Sequence, residues 1–348
     1  MSNDSKVLLL GNGIYRAFHG EEESWENMLG YVKERFEKDG IVLNIEPSAL
    51  DSYTLYFEYL YACWKRSKWK SKNQGNEIKM WGEFSGKLQE YLSEKYDSPE
   101  YTAYSKYINN LIWEHYNVVL TTNIDNRLEI NFPNMDAEYE DDGDYAKEWA
   151  QSSSRKWKYS TFRRKENGLR KIFYMHGSID KEKSICFGLD HYLGEYMCQY
   201  DCLYGLDSKD RTVLLKMLKG EMDANDKEGD IKNSWLYYFL FNDVDIIGQG
   251  LSKDEIDIWW MIEKRFQYNM IRSIENDNPN DKKVVNRKNT IRYFYPSREM
   301  EKSKPKVELL RAFDIVPVVI PCSTYREFYK IYFNEFAGDN ICKKSDGR

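Results

Sequence analysis

Val7-Leu8-Leu9-Leu10-Gly11-Asn12-Gly13-Ile14 carries the strongest indication of fold class in the chain. Four apolar residues in a row are short for a helix and read as a buried strand. The run ends in two glycines, and a helical pattern follows. Glycine lets the backbone turn sharply and lets a diphosphate approach bare N–H groups. A strand, a glycine turn and a helix in that order form the first half of a Rossmann-like dinucleotide site. A full GxGxxG is absent, because its third glycine would fall at Arg16. A plain tight turn gives the same letters, so the reading needs support from the rest of the chain.

Five further runs supply it: Val118–Thr121, Ile172–Met175, Val244–Ile247, Ile291–Tyr295 and Ile315–Ile320. Three of them end in polar or glycine-rich turns, at Asn123-Ile124-Asp125, His176-Gly177-Ser178 and Gly248-Gln249-Gly250. Strands alternating with helical stretches predict an α/β fold, a Rossmann-like parallel sheet flanked by helices. A single domain is expected over residues 1–340, with a tail at 341–348. Large helical insertions are expected at about 50–116, where Tyr53, Phe57, Leu60 and Trp64 share one face, and at about 183–240. A charged segment at about 136–171 runs from acidic to basic and reads as a solvated surface or a flap. Ser252 and Glu255 read as a capping box opening a helix.

The 348 residues carry 51 Lys+Arg against 57 Asp+Glu, a net charge of −6, which argues against a wholesale nucleic-acid binder. Basic clusters at 65–72 and 155–171 leave only an indirect nucleic-acid role. An aromatic content of 16% excludes disorder. No apolar run is long enough to cross a membrane. The opening residues lack the pattern of a signal peptide, so a cytoplasmic location with reduced thiols is expected. The six cysteines include no CxxC, and no metal is expected.

The polar strand ends hold the chemistry. Asn123 both donates and accepts hydrogen bonds, which suits a carboxamide, a ribose hydroxyl or a water. Asp125 suits a turn anchor or a developing cation. His176 can take a proton near neutral pH. A capping cluster or a structural histidine would use the same residue types. His19, His115 and His191 have no such strand-end placement and read as structural.

Taken together, these motifs resemble the SIR2 superfamily. TTNID at 121–125 is similar to the sirtuin TQNID, and MHGS at 175–178 to LHGS. GNGI at 11–14 stands where sirtuins carry GAGIS, and GQGLS at 248–252 stands in the place of a GTSL-type loop. The zinc module with its two cysteine pairs has no counterpart, and YRAFHGEEESWENML replaces the PDFR-type segment. These departures count against deacylation. With Ser24-Trp25-Glu26, they look like the SIR2-like effectors of bacterial anti-phage defence.

The resemblance implies an NAD+ glycohydrolase that yields nicotinamide and ADP-ribose in abortive infection. It implies catalytic roles for Asn123, His176 and Asp125. Gly11, Asn12, Gly13, Ile14 and Thr122 would lie on the diphosphate and nicotinamide side, and Gly248, Gly250 and Ser252 on the adenosine side. It also implies NAD+ as substrate, a homo-oligomer, and control by a partner ATPase or argonaute-like protein. The alternatives are a silent NAD or ADP-ribose-binding subunit of a defence complex, or a nucleic-acid-acting partner subunit.

Overall fold

The computed structural model describes residues 6–19, 24–70, 82–87, 89–90, 99–125, 127–130, 139–140, 160–164, 168–178, 185–189, 192–193, 235–276 and 289–337. Its centre is the strand that ends in the glycine turn, β1 (Val7–Leu10). Two parallel strands flank it, β2 (Val118–Thr121) and β6 (Val244–Ile247), with Leu9 opposite both Leu120 and Ile246. Beyond β2 lie β5 (Gly168–Tyr174), β4 (Ser160–Arg164) and the two-residue β3 (Tyr139–Glu140). Beyond β6 lie β7 (Ile291–Pro296) and β8 (Ile315–Ile320). The order is β3-β4-β5-β2-β1-β6-β7-β8. The six strands from β5 to β8 are parallel, while β3 and β4 pair antiparallel at one edge.

This is the expected Rossmann-like α/β sheet. The chain grows outward from β1 on one side and then returns to β6 on the other. The sheet therefore has its topological switch point between β1 and β6, where such folds hold ligands.

Period-two alternation sorts the strand residues onto two faces. Leu9, Leu120, Phe173 and Ile246 pack in one buried cluster with α6 (Trp235–Phe241), α7 (Ile256–Asn276) and α8 (Met300–Ala312). Leu8, Leu10, Val119 and Ile247 pack in another. That second cluster includes α1 (Gly13–His19), α4 (Pro99–His115), the one-turn α5 (Arg127–Ile130) and α9 (Tyr325–Ile331). The central strands β1, β2 and β6 are buried on both faces, as continuous apolar runs require, while Val316 and Val319 of the edge strand β8 are exposed.

A third cluster stands apart from both faces. It joins α2 (Trp25–Lys38) and α3 (Tyr53–Lys70) to Phe84, to Ile124 after β2, and to Ile185 and Phe187. Phe57, Leu60 and Trp64 are buried here, as their helical spacing predicts, whereas Tyr53, the first of that series, is exposed. Phe57 stacks on Phe187 at 5.4 Å, and Trp25 meets the same ring edge-on at 4.8 Å. Ser24 caps α2 by accepting the N–H of Asn27 at 3.2 Å.

Within the charged 136–171 segment, the described residues are strands. Arg170 is buried with its guanidinium 5.5 Å from the Trp113 ring centre. The other insertion, 183–240, lies largely outside the described residues, as do His191 and the tail at 341–348. Among the described residues, no helix is long and apolar enough to cross a membrane. No disulfide joins Cys63, Cys186 and Cys322, and no group of three His, Cys, Asp or Glu there would hold a metal.

Candidate functional site

The turns after β1 and β6 lie side by side and are stitched through their backbones. Gly11 N–H donates to Ile247 O at 3.0 Å and Gly13 N–H to Gly248 O at 2.9 Å. A Cβ on Gly11 would fall 2.2 Å from the Gln249 side-chain oxygen and 2.3 Å from Gly248 O, so no other residue fits. Gly248 itself has φ +66°, a conformation that favours glycine. Next to it, Tyr293 Oη donates to Gln249 O at 3.3 Å, and Lys306 Nζ donates to Gly250 O at 2.7 Å.

Above these turns a cavity of about 520 Å³ opens. That is the size range of small-molecule sites, and it lies at the switch point. Asn12, Gly13, Thr122, Asn123, His176, Gly248, Gly250 and Ser252 all line it. These are eight of the eleven residues singled out in the sequence. Trp25, Tyr53 and Thr54 of the aromatic helical layer contribute a further wall. Ser52 Oγ donates to Asp254 Oδ1 at 3.0 Å, which ties the start of α3 to the start of α7.

The other three residues have different surroundings. Gly11 lies beneath Gln249. The Ile14 side chain is in the core cluster with Leu10 and Tyr174. Asp125 is buried in a bidentate pair with Arg127, at 2.6 Å to Nε and 2.7 Å to Nη2. Arg127 also reaches Asn12 Oδ1 at 3.2 Å and lies 3.8 Å from the centre of the Tyr15 ring. Asp125 thus fixes the loop after β2 against the first turn of α1.

Asn123 is placed differently. Its backbone N–H donates to Thr121 Oγ1 at 3.1 Å, and Thr121 in turn donates to Leu10 O at 2.9 Å. The side chain is buried, yet its Nδ2 has no hydrogen-bond partner among the described residues. A buried amide donor without a partner is costly. On a cavity wall, such a donor points to a ligand atom.

His176 is 1% exposed. Its Nε2 lies 3.1 Å from Asp257 Oδ2, and Asp257 is fully buried at the start of α7. The Tyr192 ring stands edge-on to the imidazole at 5.1 Å. The sequence reading missed Asp257, Gln249 and Glu255 as site residues. Thr122 Oγ1 donates to Gln249 Oε1 at 3.0 Å, and the Gln249 amide donates onward to Glu255. Ser252 N–H donates to the other Glu255 oxygen at 2.7 Å. Glu255 lines the cavity, and burial pushes its carboxyl up to about 7 while nearby His176 pulls it down. The capping pattern of Ser252 and Glu255 forms locally, but α7 begins at Ile256 and not beside Ser252. The acid that looked like a helix cap faces the site.

A further wall of the cavity is formed by Glu299, Lys302, Lys306, Tyr325 and Tyr329 from α8, α9 and the turn before α8. No motif marked these residues in the sequence.

Residues 117–221 match the SIR2-like domain family. The match takes in Asn123 and His176 and supports a place in the SIR2-like superfamily. SIR2-like domains bind NAD+, so the match is compatible with NAD-related activity. No curated protein matches the chain.

Proposed function

We propose that this chain is an NAD+ glycohydrolase that releases nicotinamide and ADP-ribose as an effector of abortive anti-phage defence. The observation that carries the chemistry is the buried, unpartnered Asn123 Nδ2 on a cavity wall shared with His176 at the sheet's switch point. In the reaction, the bond from ribose C1′ to the nicotinamide nitrogen breaks. Its electron pair leaves with nicotinamide, which departs neutral. The sugar becomes oxocarbenium-like, and water adds to C1′ and gives up a proton. Asn123 positions the ribose and the attacking water. His176 acts on the ribose hydroxyls or on that water. Most of the rate gain then comes from orientation and from exclusion of other nucleophiles. The aromatic wall of Trp25 and Tyr53 excludes bulk water.

An unrestrained NADase would poison its host. Control through self-assembly, or through an ATPase or argonaute-like partner, belongs to the same proposal. The test is chromatography of NAD+ incubated with the wild type, Asn123→Ala and His176→Ala. The wild type is expected to release nicotinamide, and each variant to lose at least about 100-fold in rate. Binding of NAD+ with no nicotinamide release under any activating condition would favour a silent NAD-binding subunit.

A further inference from the structure

The proton given up by the attacking water needs an acceptor, and two groups on the cavity wall compete for that role. His176 is one. Its Nε2 is turned toward Asp257, which is fully buried and whose other carboxylate oxygen has no partner among the described residues. That pairing engages Nε2 and fixes the orientation of the ring. Glu255 is the other. It lines the cavity, and its two oxygens are held by the Gln249 amide and by Ser252 N–H. Each carboxylate oxygen has two lone pairs, so both keep a position to accept from a water. The chain Thr122–Gln249–Glu255 also connects the carboxylate to the strand end that carries Asn123.

We propose that Glu255 is the proton acceptor of the hydrolytic step and that Asp257 is a positioning residue that holds His176 toward the ribose. This rests on the glycohydrolase reading above. As water oxygen bonds to C1′, one water proton passes to the Glu255 carboxylate and then to solvent. Nicotinamide leaves with the electrons of the broken bond, so no further reactant is needed. The groups facing Glu255 are His176 after β5, Asp257 at the start of α7, Tyr192, Tyr293 of β7 and Lys306 of α8. Burial outweighs His176 among them, and the carboxyl titrates near neutrality, where a general base is most effective.

The experiment measures NAD+ affinity by calorimetry and nicotinamide release from pH 5 to 9, for wild type, His176→Ala and Glu255→Gln. The Gln variant keeps an acceptor for Ser252 N–H. It is expected to bind NAD+ within about threefold of wild type, to lose about 100-fold or more in kcat, and to lose the acid limb near pH 7. A wild type that turns over, a dead His176→Ala and a Glu255→Gln with unchanged rate and limb would overturn this inference and leave the glycohydrolase reading standing. A wild type that releases no nicotinamide under any activating condition would overturn both. If Glu255→Gln does not fold, Glu255→Asp serves instead. It is expected to keep the limb with a lowered kcat, and an unchanged kcat would overturn the assignment. Asp257→Asn is expected to lower kcat while retaining the Glu255 limb.

Discussion

Gly11 bears no side chain because there is no room for one. An added Cβ would meet Gln249 Cα at 2.6 Å as well as Gly248 O, and both are backbone atoms that a rotamer change cannot move. Gly11→Ala is therefore expected to push the two glycine turns apart. It should displace Gln249 and weaken NAD+ binding at least about tenfold, measured by calorimetry. A second residue-scale consequence concerns Glu255. Its folded carboxyl titrates at about 7 against an ordinary 4.5, so between those values the folded protein holds a proton that the unfolded chain has lost. Stability is then greatest at the acid end of this window and falls as pH rises through it. At about 1.4 kcal/mol per unit, the loss is up to about 3 kcal/mol. Urea denaturation at pH 5 and 8 should show the decline, and Glu255→Gln should flatten it. An equal decline in the variant would mean that another group titrates there.

At the scale of elements, the strand ends divide between holding and binding. In Thr121-Thr122-Asn123-Ile124-Asp125, Thr121 and Asp125 hold the loop while Thr122 and Asn123 face the cavity. Asp125→Ala would leave buried Arg127 without its carboxylate, at a cost of about 3–5 kcal/mol. Urea denaturation should show that loss. Full stability with lost turnover would instead put Asp125 in the chemistry. The alternation of polar letters could not separate these duties, because Thr, Asn and Asp serve caps and ligands equally well. The strands were more legible. Runs of four to six Val, Leu and Ile are too short for a buried helix and fit a strand, and β1, β2, β6 and β8 start and stop where those runs do. The first half of β5 was hidden. Arg170 lies over Trp113, and Lys171 lies 5.4 Å from the Tyr238 ring, so charged letters cover a strand whose stems and rings are packed. The wall of Glu299, Lys302, Lys306, Tyr325 and Tyr329 was hidden for another reason. It is assembled from α8, α9 and the turn before α8, which come together only in the folded protein.

At the scale of the whole molecule, the sheet is anchored by a buried ionic cluster at the end away from the cavity. Asp245 is the second residue of β6, and Arg292, the second of β7, grips it with two bonds of 2.6 Å. Tyr116, just before β2, donates to the same carboxylate and meets Tyr332, which donates to it at 3.2 Å. Burial holds both phenols well above their ordinary value, so they remain donors across the working pH range. One carboxylate thus joins two central strands, the approach to a third and the C-terminal helical turn. Pairing in a low-dielectric interior makes such a cluster costly to break in half and cheap to replace entirely. Arg292→Met alone leaves Asp245 uncompensated and is expected to lower the unfolding free energy by about 3–5 kcal/mol. The double variant Asp245→Leu, Arg292→Met removes both charges, and the two phenols can still bond each other. It is expected to recover most of that loss in urea denaturation. NAD+ affinity of the double variant should stay within about twofold of wild type, because the cluster lies toward the amino end of the parallel sheet and the cavity opens at its carboxyl end. A double variant no more stable than the single one would mean that the cluster specifies the strand arrangement rather than only paying its own desolvation.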